Sequence, residues 1–291
     1  MNLEKYHEWR KSELFIQDVM EMLDNTLTDF ATNAPKQFEK AIYSAQMERS
    51  VGLGVMGFHS FLQKESVAMD SEQAMVYNRI IFQHIHEKVE EADRYLAERR
   101  GPCPDAVNAT RISGKDFNKR FSYRTAIAPT ASISILCGES SPGIEPYAAN
   151  CYKLVTLSGA HIVKNKNLKV LLNKYNKNTE EIWMSILQNN GSVSHLDFLS
   201  DHEKNVYKTA MEMDQERLIR LAANRVDLVD QSTSLNIFLP SNVSKKMLHN
   251  IHFSAWKMGI KTLYYCRSTT AQNAMNIPNR LIDTTECQSC Q

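Results

Sequence analysis

Apolar positions along the chain follow two spacings, one helical and one extended. In "SELFIQDVMEMLDNTLTDF", Ile16, Val19, Leu23, Leu27 and Phe30 recur at three- and four-residue steps, which predicts an amphipathic helix with Ser12 placed to cap it. In "SEQAMVYNRIIFQHIHEKVEEADRYLAERRGP", Tyr77, Ile81, Ile85, Val89, Ala92 and Leu96 form one stripe, and Gly101-Pro102 stops that helix. A third helix is expected around 202–224, turning Val206, Ala210, Met213, Leu218 and Leu221 toward a core. The segment 174–200 reads as a shorter helix between polar loops. Strand candidates are "YRTAIA" (123–128), "TSLNIFL" (233–239) and "IKTLYY" (260–265), all rich in β-branched and aromatic residues. Strands separated by long helices favour an α/β arrangement. From Ser268 onward the chain is polar, carries one Pro and shows no periodicity. The expected division is therefore a folded part, 1–267, and a flexible tail, 268–291.

Composition narrows the function class. Hydrophobic residues make up 43% and charged residues 23% of 291, values that support a sizeable globular core. Net charge is +1, from 34 basic and 33 acidic residues, so there is no electrostatic footprint for a nucleic-acid polymer or an anionic membrane. The opening "MNLEKYHEWRKSELF" has no apolar core of a secretory signal, and no apolar run approaches the roughly 18 residues of a membrane span. Six cysteines without a signal read as reduced thiols of a cytoplasmic protein.

Four stretches carry candidate chemistry. "GLGVMG" (Gly52, Gly54, Gly57) matches the letters of a dinucleotide fingerprint, which needs a strand before it and a ribose-binding acid ending the next strand. Upstream lies the polar, helix-prone "FEKAIYSAQMERS". The glycines are therefore read as a tight strand-to-helix transition with close packing. In "IAPTASISILCGESSPGIEPY", Pro129 ends a strand candidate and Thr130, Ala131, Ser132, Ile133 and Ser134 follow. A small-residue turn leaving a strand exposes backbone N–H groups beside hydroxyl donors, and can cradle a phosphate without a basic residue. A hydroxyl-rich loop that merely caps a helix has the same letters. In "KTLYYCRS", Tyr264 and Tyr265 are adjacent. Adjacent strand residues point to opposite faces, yet two consecutive phenols could also pass an electron. The closing "ECQSCQ" holds Cys287 and Cys290, half of a zinc site with no second pair to complete it. His84 and His86 fall on different helix faces, and His249 and His252 have no nearby carboxylate or thiol, so no metal site is expected.

Taken in order, "RSVGLGVMGF", "AIAPTASISILCGESSPGIEPY", "DQSTSLNIF", "WKMGIKTLYYCR" and the terminal CxxC resemble the C-terminal part of the large, catalytic subunit of class I ribonucleotide reductase. The resemblance spans Phe15 to Gln291. It implies a helix-rich α/β fold, the C-terminal half of a ten-stranded α/β barrel, and the reduction of ribonucleotides to deoxyribonucleotides by radical chemistry. By the same resemblance, Pro129, Thr130, Ala131, Ser132, Ile133 and Ser134 hold the substrate phosphates. Some members have a hydroxyl residue where this chain has Ile133, which leaves Thr130, Ser132, Ser134 and backbone N–H groups as donors. Tyr264 and Tyr265 match the stacked tyrosines that relay a radical from the small subunit, where a di-metal tyrosyl radical is expected; no cofactor is expected on this chain. Cys287 and Cys290 match the tail thiols that reduce the turnover disulfide and pass the oxidation to thioredoxin or glutaredoxin, a task for which a polar arm supplies reach.

The sequence also departs from the family. Its radical-bearing cysteine has an Asn two residues before and a Glu two residues after, and no Asn-x-Cys-x-Glu occurs here. The turnover cysteines and the allosteric nucleotide site are likewise expected on another polypeptide. The chain is thus read as one piece of a split large subunit, silent alone and completed by an N-terminal partner chain. Two alternatives stand beside this reading. One is a non-catalytic decoy that binds the small subunit or the partner half. The other is a stand-alone thiol–disulfide oxidoreductase, although such enzymes place the CxxC at a helix start near a βαβ unit.

Overall fold

Five extended segments lie side by side in chain order, all parallel. Bridges join Asn2 to Met56, Leu53 to Thr125 and Ile127 to Thr233, and a parallel ladder joins β3 (Ile237–Pro240) to β4 (Cys266–Thr269). The backbone bonds are regular: Leu3 N–H donates to Met56 O at 2.8 Å, Val51 N–H to Tyr123 O at 2.9 Å, Ser234 N–H to Ile127 O at 3.0 Å and Tyr264 N–H to Leu235 O at 2.8 Å. This computed structural model describes residues 1–156 and 159–269.

Parallel neighbours need crossovers, and helices supply them. The first crossover carries α1 (Tyr6–Trp9), α2 (Phe15–Asn33) and α3 (Glu39–Met47). The second carries α4 (Phe58–Lys64), α5 (Glu72–Arg100) and α6 (Pro104–Ser113). The third is the longest, with α7 (Ala131–Leu136), the antiparallel pair β1 (Cys151–Thr156) and β2 (Gly159–Lys164), α8 (Lys166–Lys174), α9 (Glu180–Gln188), α10 (Asp201–Val206) and α11 (Gln215–Ala223). The fourth is α12 (Lys245–Lys257).

The α5 stripe behaves as its spacing predicts: Ile81, Ile85, Val89, Ala92 and Leu96 are all buried against the main core. Burying each large aliphatic side chain is worth about 1.5–3 kcal/mol. Ser71 caps this helix by accepting from Ala74 N–H, and Gly101 ends it at φ +83°. A second core gathers Leu168, Leu172, Trp183 and Ile186 beneath β1. A third packs Leu235, Ile237 and Leu239 against Ile219 of α11 and Ile251 and Ala255 of α12.

Several expectations need correction. Ser12 does not cap α2, whose first flanking residue is Leu14 with no side-chain bond. The helix expected at 202–224 is two, because 207–214 satisfies its polar groups locally: Glu212 accepts from both the amide and the hydroxyl of Thr209, and Asp214 caps α11 through Glu216 N–H. Such side-chain bonds compete with the helical ladder. Of the candidate at 123–128, only Thr125 and Ile127 make bridges. The last strand begins at Cys266, after 260–265, and it runs through Ser268 and Thr269. Cys287 and Cys290 lie outside the described residues. No helix among the described residues is long and apolar enough to cross a membrane.

"GLGVMG" is the second extended segment and its exit into α4. A Cβ on Gly54 would lie 2.4 Å from Ala126 O, and Gly57 sits at φ +81° as the first flanking residue of α4. The glycines therefore serve close strand approach and a left-handed turn.

Candidate functional site

The third extended segment ends at Ala128-Pro129 and turns at Thr130, whose φ of +53° is left-handed. A β-branched residue there is strained, and such strain gathers at functional sites. One bond offsets it: Thr130 Oγ1 accepts from Gly143 N–H at 2.7 Å. The α7 ladder opens with Ser134 N–H on Thr130 O at 2.9 Å. The N–H groups of Ala131, Ser132 and Ile133 precede that ladder and have no partner within the helix, on residues that are all exposed. Ser134 is turned inward, buried, and donates to Ala131 O at 3.1 Å. Of the hydroxyl residues expected in the loop, Ser132 is the one on the exposed first turn.

The return limb of the loop is held by α4. Ser60 and Ser141 exchange bonds, Ser60 N–H to Ser141 Oγ at 3.1 Å and Ser141 N–H to Ser60 Oγ at 2.6 Å. Gly57 N–H donates to Ser141 O at 2.8 Å and Phe58 N–H to Gly143 O at 3.3 Å. His59 is fully buried; its Nδ1 accepts from Tyr147 N–H at 3.0 Å, which places its proton on Nε2, 3.3 Å from Val206 O. Burial pushes its pKa down to about 4, so the ring is a neutral strut. Nothing in the sequence singles out His59 or the Ser60–Ser141 exchange. Partners so distant along the chain leave no local pattern.

Arg124 ties the third extended segment to the fourth. It donates to both Asp230 carboxylate oxygens, at 3.1 and 3.0 Å, and to Glu90 of α5. Burial disfavours its charge, but the bonds to Asp230 and Glu90 prevail and raise its pKa.

Tyr264 and Tyr265 lie just ahead of β4. Their ring centroids are 4.1 Å apart with planes at 48°, so the two rings touch although they are sequence neighbours. The pleat that would send them to opposite faces does not apply, because 260–265 is not a regular strand. They are 40% and 42% exposed, and the Arg267 guanidinium lies 5.3 Å from the Tyr265 centroid. Tyr265 N–H donates to Asn236 Oδ1 at 3.1 Å. Asn236 is in turn held by Glu145, which accepts its N–H at 3.0 Å and its Nδ2 at 2.8 Å. Burial pushes the Glu145 carboxyl above the ordinary range, against the pull of Asn236 and Arg267. This buried pair was not foreseen; its one sequence signal is Asn236 among apolar strand residues.

Residues 1–120 and 106–266 match the family model for the ribonucleotide reductase barrel domain. The chain belongs to the ribonucleotide reductase barrel family. It is 44% identical over 281 residues to the ribonucleoside-diphosphate reductase large subunit of Invertebrate iridescent virus 6, covering 95% of this chain and 28% of that one. It is 39% identical to the putative large subunit of Frog virus 3, over 100% of this chain and 51% of that protein. The solved class Id ribonucleotide reductase alpha subunit of Actinobacillus ureae superposes with a TM-score of 0.83 at 34% identity, covering 95% of this chain and 50% of that one. The chain thus spans about half, or less, of these relatives. The parallel segments with their helical crossovers are part of the family's α/β barrel.

Among the described residues no group of three or more His, Cys, Asp and Glu could hold a metal. Cys103 and Cys151 are buried, and Cys137 and Cys266 are exposed.

Proposed function

We propose that this chain supplies the substrate-phosphate loop, a tyrosine radical relay and a tail dithiol to the large subunit of a class I ribonucleotide reductase, which reduces ribonucleoside diphosphates to deoxyribonucleotides. The names of its relatives support the diphosphate. The exposed N–H groups of Ala131, Ser132 and Ile133, with the Ser132 hydroxyl, are the donors for its terminal phosphate. Pro129 and Thr130 shape that turn, and Ser134 braces it from within. The remainder of the barrel, with the radical-bearing cysteine and the turnover cysteines, comes from the N-terminal part of the large subunit. A small subunit carrying a di-metal tyrosyl radical delivers the oxidising equivalent.

The observation that carries this reading is the ring contact of Tyr264 and Tyr265, at 4.1 Å, in a chain of this family. A phenol gives up an electron and a proton together, and touching rings let the hole step from one to the other. Cys287 and Cys290 act after each turnover. One thiolate attacks the active-site disulfide, forming a mixed disulfide and releasing one active-site thiolate. The second tail thiolate resolves it, so that the tail leaves oxidised for thioredoxin or glutaredoxin to reduce.

The test is reconstitution of this chain with the rest of the large subunit and the small subunit. Tyr264→Phe and Tyr265→Phe are each expected to stop nucleotide reduction, by at least about a thousandfold, since phenylalanine cannot be oxidised in that range, while assembly stays intact. Full activity in either variant overturns the relay assignment. Inhibition by the parent chain, in place of activity, would make it a decoy.

A further inference from the structure

Glu145 lies at the end of the candidate phosphate loop, two residues beyond Gly143, and it is buried. The chemistry proposed above gives it no task. It faces Asn236, on the fourth extended segment. Leu235, Ile237 and Leu239 of that segment pack on α11 and α12, so alternation puts Asn236 on the opposite face.

The bonds around Asn236 form a chain with one consistent polarity. Glu145 accepts the Asn236 backbone N–H at 3.0 Å and its Nδ2 at 2.8 Å. That leaves Asn236 Oδ1 pointing the other way, where it accepts Tyr265 N–H at 3.1 Å. On either side, Tyr264 N–H donates to Leu235 O and Ile237 N–H to Tyr265 O, both at 2.8 Å. The Tyr265 N–H falls between those two backbone bonds and donates to a side chain, Asn236 Oδ1. An amide can take either of two orientations about its last bond. Here a carboxylate, which only accepts, dictates which one.

We propose that Glu145 is a positioning residue for the tyrosine pair: by accepting from Asn236 it orients that amide to hold the Tyr265 backbone, and so joins the phosphate loop to the relay. The proposal rests on the relay reading for its consequence in catalysis, but the hydrogen-bond relation itself does not. Gly143 binds Thr130 through its N–H and α4 through its carbonyl, so the span 143–145 links the substrate turn to Tyr265 through few rotatable bonds.

The polarity supplies a direct test. Glu145→Gln places an NH2 group where the carboxylate accepted from Asn236 Nδ2. Asn236 can relieve the donor–donor clash only by flipping, which turns its own NH2 toward Tyr265 N–H. The double variant Glu145→Gln with Asn236→Asp restores every bond, with the polarity of the side-chain bond between positions 145 and 236 reversed. The introduced glutamine would accept the backbone N–H of position 236 through its Oε1 and donate its NH2 to the introduced aspartate. The aspartate's other oxygen would accept Tyr265 N–H.

Hydrogen–deuterium exchange of the Tyr265 amide, read by NMR on the full chain labelled with 15N-tyrosine, should be faster by about tenfold or more in Glu145→Gln, the ratio that loss of one hydrogen bond corresponds to. It should return to the parent rate in the double variant. In the reconstituted enzyme, Glu145→Gln should lower kcat while leaving KM near the parent value, and the double variant should recover kcat. Unchanged Tyr265 exchange in Glu145→Gln overturns the proposal. So does a double variant that folds but stays unprotected, a result that decides the matter even where the single variant does not fold. If Tyr265→Phe keeps full activity, the relay reading fails, while the exchange data still decide whether Glu145 holds Tyr265.

Discussion

A methyl group at Gly54 would meet the carbonyl oxygen of Ala126 at 2.4 Å, a neighbour that is backbone and cannot swing aside. Gly54→Ala is therefore expected to destabilise the chain by about 1–3 kcal/mol, the cost of overpacking, seen as a lower urea midpoint with an unchanged slope. His59 yields a second expectation. Its pKa is about 4 in the folded chain, below the ordinary 6.5, so the unfolded chain takes up the proton first. The stability this group contributes is complete above pH 6.5 and drains away as pH falls from there to about 4. Within that window the slope approaches about 1.4 kcal/mol per pH unit. His59→Asn should flatten that limb of the stability-against-pH curve; an unchanged curve would show that His59 is not the group responsible. Neither residue could be ranked from sequence, because what decides each is a neighbour more than 70 residues away: Ala126 for one, Tyr147 and Val206 for the other.

Between elements, the joint of α2 and α5 rests on Asp24. It is completely buried and accepts from Arg49 at 2.7 Å, from Arg100 at 2.7 Å and from Arg120 at 2.9 Å. Burial alone would raise its pKa, but the three guanidinium groups outweigh it and hold the carboxyl below its usual range. Asp24→Asn would leave these arginines without their shared charge. A loss of about 3–5 kcal/mol is expected, as for a broken buried ion pair, measured by chemical denaturation; a loss below about 1 kcal/mol would mean that the cluster is screened by water. The helices themselves were readable in the sequence, α5 from its unbroken stripe and its stop at Gly101-Pro102. Asp24 was not, because within α2 it looks like any solvent-facing acid. The short strands were only half readable, since pairing at single bridges leaves too few residues for a period to emerge.

Across the whole molecule, the outermost parallel segments, 1–3 and 264–269, each pair on one side only among the described residues. Open edges of a parallel sheet invite further pairing. On the proposed reading the rest of the barrel covers them. The chain alone is therefore expected to self-associate with rising concentration, and addition of the missing part of the large subunit should convert it to one defined complex by light scattering. A stable monomer indifferent to that addition would count against the reading that the rest of the barrel covers these edges. Trp256 and Phe253 add to the exposed apolar surface on α12, at 72% and 48%.

The order of motifs, the helical stripes and the tight glycine transition were determined by sequence alone, because each is a local relation between near neighbours. From them came the family and the α/β barrel. Tertiary structure decided the rest: that Ser134 braces the turn after Pro129 from within while Ser132 stays on its exposed face, that the adjacent tyrosines touch, and that Glu145 and Asn236 reach the Tyr265 amide. Those relations depend on which backbone groups a neighbouring segment leaves unsatisfied, and that is settled only when segments far apart in the chain are laid side by side.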